Sequence, residues 1–107
     1  MTFNEYQAEA QRTSATVGFK DKITNGIMGL CGESGECADV VKKYFFQGHT
    51  SCTNKLIEEL GDVLWYIAEI CSALDIPMEI VGEKNIKKLK LRYPDGFVSE
   101  RSIHREV

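Results

Sequence analysis

Two pairs of carboxylates carry the clearest chemical signal in the chain: Glu33-Ser34-Gly35-Glu36 and, after an interval of 22 residues, Glu59-Leu60-Gly61-Asp62. Acids at i and i+3 share one face of a helix. At 100° per residue, Glu33 points about 40° from Cys37 and about 60° from Leu30, while Glu59 points about 40° from Val63 and about 20° from Ile70. Both pairs therefore border apolar stripes, and on antiparallel neighbouring helices all four acids converge. Four anions at an apolar edge repel one another and lose hydration, so without a counter-charge the cluster is costly or takes up protons. A divalent cation removes the conflict. Oxygen-only ligation, with no histidine or cysteine at ligand spacing, fits Mg²⁺ or Mn²⁺ better than zinc. Such an ion keeps waters and accepts phosphate oxygens as further ligands. The competing reading leaves the acids on solvated helix faces, paired with Lys42, Lys43 or Lys55; it suits one such pair better than two on consecutive helices.

Asn85, Lys88 and Arg92, at i, i+3 and i+7, lie within about 60° of one another on a helix and could hold a polyphosphate. The same stripe also reads as a solvated basic face, because Lys84, Lys87 and Lys90 make that helix basic all round. Trp65 and Tyr66 follow the second acidic pair. Trp65 could stack on a nucleobase, with a core or subunit-contact role as the plainer reading for either ring. His49 and His104 fall in a turn and in the tail and offer no persuasive catalyst.

Four helices are needed to position these residues. The first spans about Thr2 to Thr16, with Thr2 or Asn4 as N-cap and Gly18 as a stop signal. The second runs from about Asp21 to Phe46 and ends at the Gln47–Gly48–His49 turn. The third runs from about Thr53 to Leu74, with Ser51 and Thr53 available as caps; the fourth begins near Pro77 and stops before Pro94. Leu56, Leu60, Val63, Ile67, Ile70 and Leu74 recur at three and four residues as one buried face requires, and Ile23, Ile27, Leu30, Val41 and Phe45 give the second helix its own. Short connections between long helices favour antiparallel neighbours, hence an all-α, four-helix bundle-like single domain over residues 1–107. Gly26, Gly29, Gly32 and Gly35 each cost on the order of 1 kcal/mol inside a helix. Close helix packing or a kink would repay that cost, as would room for metal and phosphates beside Glu33 and Glu36. Tyr93 to Val107 reads as an arm against a neighbouring subunit or a loose end.

A chain of 107 residues with a net charge of −3 buries a modest core unless it oligomerises, and it lacks the basic excess of a general nucleic-acid binder. Four cysteines without a CxxC pair or a secretory signal read as reduced thiols in a cytoplasmic protein, with Cys37 and Cys71 on apolar positions and Glu58, Asp39 and Glu69 as mostly surface acids. No run of about 18 apolar residues is present to cross a bilayer.

The paired motif, together with Gly32-Glu33-Ser34-Gly35-Glu36, Glu58-Glu59-Leu60-Gly61-Asp62-Val63-Leu64-Trp65-Tyr66 and Asn85-x-x-Lys88-x-x-x-Arg92-Tyr93-Pro94, resembles the ExxE…ExxD signature of the MazG-like all-α nucleoside triphosphate pyrophosphohydrolases. The resemblance covers the second to fourth helices; the first adds little. It implies Mg²⁺ held by Glu33, Glu36, Glu59 and Asp62, with Asn85, Lys88 and Arg92 near the triphosphate, and metal-assisted hydrolysis in which a carboxylate beside the ion, for which Glu36 is the choice, takes the proton of the attacking water. It also implies cleavage between the α and β phosphates of a (deoxy)nucleoside triphosphate, in a homodimer or homotetramer whose subunits share the site, in the service of nucleotide-pool house-cleaning. Two alternatives stay open: a non-enzymatic helical oligomerisation module, and a pyrophosphohydrolase of another phosphate compound such as a phosphoribosyl nucleotide. A di-iron bundle is disfavoured because no histidine follows either acidic pair at Glu-x-x-His spacing.

Overall fold

A computed structural model describes residues 1–106 and is helical throughout its regular structure, as expected: α1 (Phe3–Gln11), α2 (Phe19–Phe46), α3 (Thr53–Ala73), α4 (Met78–Arg92) and the short α5 (Ser99–Ile103). The long helices α2 and α3 form an antiparallel hairpin, and α1 and α4 pack on α3 and on each other. Thr2 closes α1 with a capping box, its hydroxyl accepting from Glu5 N at 3.0 Å while the Glu5 carboxylate accepts from Thr2 N at 2.9 Å. The N-terminus of α4 has no cap of its own, because Pro77 stands there, and α1 supplies it. Met78 N donates to Gln7 Oε1 at 2.7 Å and Glu79 N donates to Asn4 Oδ1 at 3.1 Å. Orphan donors of one helix are thus satisfied by side chains of another, which fixes their mutual placement.

Two boundaries and one cap differ from the sequence reading. The first helix ends at Gln11 rather than Thr16, because Ser14 and Thr16 turn away to bond a carboxylate of α3. Gly18, at φ +85°, opens α2 instead of stopping α1, and α2 starts at Phe19 rather than Asp21. Neither Ser51 nor Thr53 caps α3; Cys52 holds the N-cap position without a side-chain bond. Phe46 ends α2 as expected, with Gly48 at φ +76° in the following turn. The tail folds back through a Pro94–Gly96 turn, and Arg101 Nε donates to Arg92 O at 2.6 Å.

The buried apolar core also sits elsewhere than the longest stripe suggested. It consists of Ala10, Ala68, Cys71 and Met78, with Tyr6, Leu64, Trp65, Ile67 and Ile76 packed against it. Of the expected stripe on α3, Leu60 and Leu74 are exposed and the remainder half-buried; on α2, Ile27, Val41 and Phe45 are exposed. The chain covers α3 from the α1 and α4 side and leaves the side of that stripe bare. Cys71 is the small buried hydrophobe expected, Cys37 is half-buried, and all four thiols are free.

The largest correction concerns Glu69, read as a surface acid and in fact sealed from solvent. Its carboxylate accepts hydrogen bonds from Thr16 Oγ1 at 2.7 Å, Ser14 Oγ at 2.8 Å, Gln11 Nε2 at 2.9 Å and Lys22 Nζ at 2.9 Å. Lys22 Nζ also donates to Gln11 Oε1 and Ser14 Oγ, each at 2.9 Å. A buried charge is tolerable when it is both paired and hydrogen-bonded, and this one is. Burial pushes the carboxyl pKa up, but the bonds from Lys22, Gln11, Thr16 and Ser14 outweigh it and hold the group at about 2, against an ordinary 4.5.

Because the folded-state pKa is depressed, the stability linked to this group is complete above about pH 4.5 and drains away as pH falls towards 2. Glu69→Gln leaves Lys22 facing a neutral partner and is expected to cost about 3 kcal/mol or more at pH 7. In urea unfolding, the gap between wild type and variant should narrow as pH is lowered from 5 to about 2.5. A constant gap would show that the carboxylate charge is not what the network holds.

Candidate metal centre

The glycines of α2 set the register that brings the acids together. A Cβ on Gly26 would come within 2.6 Å of Ile70 Cγ1, and one on Gly29 would run into the Tyr66 ring. Gly26 thus faces Ile70 and Gly29 faces Tyr66, and the same antiparallel register continued one turn along α2 sets Glu33 against Asp62. A Cβ on Gly32 or Gly35 would meet nothing within 4 Å. Gly26 and Gly29 therefore permit close helix packing, as one reading of the sequence expects, while Gly32 and Gly35 stand against open space.

Glu33, Glu59 and Asp62 each offer a carboxylate oxygen, and these oxygens lie within 4.8 Å of one another, Glu33 and Glu59 half-buried and Asp62 exposed. Glu36 lies outside this triplet, one turn along α2 and exposed, near enough for its charge to be felt at Glu33. Glu33 is pushed above the ordinary carboxyl range, first by a hydrogen bond shared with Glu59, then by partial burial and by the charges of Asp62, Glu59 and Glu36. The neighbouring carboxylates and partial burial thus disfavour the ionised form of Glu33. The lysines offered as partners are committed to other acids: Lys42 and Lys43 to Asp39, at 3.7 and 2.8 Å, and Lys55 to Glu58 at 3.5 Å. Among the described residues no lysine forms an ion pair with Glu33, Glu36, Glu59 or Asp62. An all-oxygen set of mutually repelling carboxylates without basic partners fits a hard divalent cation such as Mg²⁺ or Mn²⁺.

A cleft of about 320 Å³ opens beside the acids, lined by Glu33, Asp62, Trp65 and Tyr66. Trp65 is both a wall of this cleft and a brace. Its Nε1 donates to Ala10 O at 3.0 Å and to Thr13 Oγ1 at 2.9 Å, and its ring meets Tyr66 edge to face with centroids 5.0 Å apart. The indole is therefore braced beside the cleft, and an aromatic wall suits an aromatic ligand. The sequence reading passed over α1 here. Tyr6 packs against the core, and its phenol is raised above its ordinary pKa by burial and by the charge of Asp62. The signal for it was only an aromatic one turn before Ala10 on the inward face of a short helix.

The basic stripe is not gathered at this cleft within one chain. Asn85 lines a groove between α1 and α4, Lys88 is exposed, and Arg92, half-buried, lines a small cavity with Arg101 and His104 of the tail.

A model of the MazG nucleotide pyrophosphohydrolase domain matches residues 22–97, which include all four acids, Trp65 and the basic stripe. The chain is also 39% identical over 109 residues to the Gene 37 protein of Mycobacterium phage L5, covering 94% of this chain and 96% of that protein. No solved structure matches.

The glycine register generates a contrast in stability. Gly29→Ala should cost about 1–3 kcal/mol, because the Tyr66 ring must move, despite the better helix propensity of alanine. Gly32→Ala and Gly35→Ala, which meet open space, should be neutral or stabilising by up to about 1 kcal/mol. Thermal denaturation of the three purified variants checks this, and equal losses at all three positions would contradict the register.

Proposed function

Because the chain belongs to the MazG nucleotide pyrophosphohydrolase family, we propose that it cleaves (deoxy)nucleoside triphosphates between the α and β phosphates, releasing the monophosphate and pyrophosphate. The observation that carries this reading is the meeting of Glu33, Glu59 and Asp62 without lysine partners. In this reading Glu33, Glu36, Glu59 and Asp62 hold Mg²⁺, with Mn²⁺ as a substitute. When bound, such an ion would supply charge neutralisation for the phosphates and a lowered pKa for a water. Glu36, beside the triplet and open to solvent, accepts the water's proton, and the pyrophosphate leaves with the electrons of the broken P–O bond. Trp65 bounds the space for the nucleobase. Asn85, Lys88 and Arg92 neutralise the triphosphate, and since one chain does not bring them to the cleft, they reach it from a second subunit.

Subunit association is part of the proposal. A radius of gyration of 16.9 Å exceeds the roughly 13 Å of a compact chain of this length, as expected if the core is completed by another copy. Ile27, Val41 and Phe45 fall within about 40° of one another on α2, and Leu56, Leu60, Val63 and Ile67 within about 60° on α3. Together they give the hairpin an apolar side that a second hairpin covers in a homodimer or homotetramer. No described helix is long and apolar enough to cross a membrane, and the cytoplasmic nucleotide pool is the proposed setting for a house-cleaning role.

Measuring pyrophosphate and orthophosphate release from canonical and modified (d)NTPs, with Mg²⁺ and with EDTA, tests the reaction. Metal-dependent pyrophosphate with matching monophosphate is expected. Glu36→Gln and Asp62→Asn should each lower turnover by about 10²-fold or more while keeping the fold. Full activity in either variant sinks the site assignment, and no release from any nucleotide by folded protein sinks the reaction. For association, Val41→Lys should reduce the mass measured by light scattering, since a desolvated lysine at the covered face is strongly disfavoured; an unchanged mass argues against that face.

A further inference from the structure

The segment after α4 turns back onto the end of that helix. Tyr93 N donates to Leu89 O at 2.8 Å and closes the last α-helical bond. The amide that would carry the ladder on to Arg92 O is that of Gly96, and it donates to Tyr93 O at 3.2 Å instead. Gly96 makes this turn at φ +94°, and the Tyr93 and Phe97 rings pack across it with centroids 5.2 Å apart. The carbonyl of Arg92, the last residue of α4, thus lies outside the helical ladder, as the final carbonyls of a helix do. Arg101 of α5 takes it, its Nε donating to Arg92 O at 2.6 Å. A guanidinium is thereby set at the negative end of the α4 dipole, where a cation is favoured. Arg92 and Arg101 also line one cavity of about 260 Å³, so the tail forms a wall of the space around the Arg92 side chain.

We infer that Arg101 is a positioning residue for Arg92: by tying the end of α4 to the tail it keeps the last turn helical, and so holds the Arg92 side chain ready for the triphosphate. The inference rests on the reading of Arg92 as a phosphate-binding residue proposed above. Helix ends are where local opening is easiest, and a side chain in the last turn keeps its direction only while that turn holds. An arginine that must be ordered on binding loses part of its phosphate contact to that ordering, whereas one already in place does not. Arg101 itself need not touch the nucleotide. It stands beyond residue 97, where the match to the family model ends, so the clamp is built from this chain's tail rather than from the matched domain.

The experiment compares wild type, Arg101→Ala, Arg101→Lys, Arg92→Ala and the double variant in the full chain, with Mg²⁺ and the canonical dNTP that wild type cleaves fastest. Arg101→Ala is expected to raise KM about 3- to 10-fold with little change in kcat, as the loss of a pre-ordered binding group does. Position 101 is exposed, and the helical circular dichroism should be kept. Arg101→Lys retains a charged donor and should restore most of the KM. Because Arg101 acts through Arg92, the double variant should have the kcat/KM of Arg92→Ala alone. An unchanged KM in Arg101→Ala, with wild type active, overturns the inference by itself. A double variant in which the two losses multiply also overturns it, since Arg101 would then act independently of Arg92. Failure of wild type to release pyrophosphate from any dNTP overturns the functional reading from which the inference starts.

Discussion

One buried carboxylate governs how this small chain is assembled. Glu69 lies on the face of α3 turned towards α1, and its oxygens gather the C-terminal end of α1, the Ser14–Thr16 segment and the first turns of α2. A charge out of water tolerates little displacement of its partners, since each lost hydrogen bond exposes the desolvation penalty. An apolar side chain of equal volume would pack there, but it would leave Ser14, Thr16, Gln11 and Lys22 with no reason to stand where they do. The network therefore specifies an arrangement more than it supplies net stability, in keeping with the small yield of most buried ion pairs. Its location matters for the cleft, because Trp65 is braced on Ala10 and Thr13, which adjoin in the chain the network's Gln11 and Ser14.

The second constraint is steric. Two glycines, Gly26 and Gly29, bring α2 close to α3 at Ile70 and Tyr66, and the register so fixed carries the chain to Glu33 and Asp62. Each carboxylate was placed by helical phase, and their meeting was placed by packing a turn or two away. The hydrophobic side of the hairpin left uncovered by this chain belongs to the same geometry. The α1 and α4 helices pack on α3 without covering that stripe, so the stripe with the strongest helical periodicity is half-open while four modest residues form the buried core.

Much of this could be read from the residues alone. The all-α class, the boundaries of α3 and α4, the free thiols, and the convergence of three of the four acids follow from periodicity and spacing, which depend only on local geometry. What escaped depended on partners distant in sequence. Glu69 falls among Ala68, Ile70 and Cys71, and nothing local distinguishes a buried acid from an exposed one until Lys22 and Gln11 arrive from other elements. The early end of α1 escaped for the same reason, since Ser14 and Thr16 leave the helix for a bond to a carboxylate more than fifty residues away. The caps of α4 likewise came from Asn4 and Gln7, which no rule about neighbouring residues would pair with Met78 and Glu79.

Two buried or half-buried acidic sites on one helix thus reach opposite solutions. At Glu69 the protein supplies a lysine, an amide and two hydroxyls, and the carboxyl is held ionised at about 2. Two turns earlier on α3, at Asp62 and Glu59, it supplies no base, although Lys42, Lys43 and Lys55 stand close enough in sequence to have been used and pair with Asp39 and Glu58 instead. The result is a Glu33 that keeps its proton more readily than an ordinary glutamate. A chain able to neutralise one carboxylate so completely, and leaving three others to repel each other within 4.8 Å, retains there a concentrated negative field. A field left uncompensated by protein is the condition under which a divalent cation gains most on entering, because it removes repulsion as well as adding attraction.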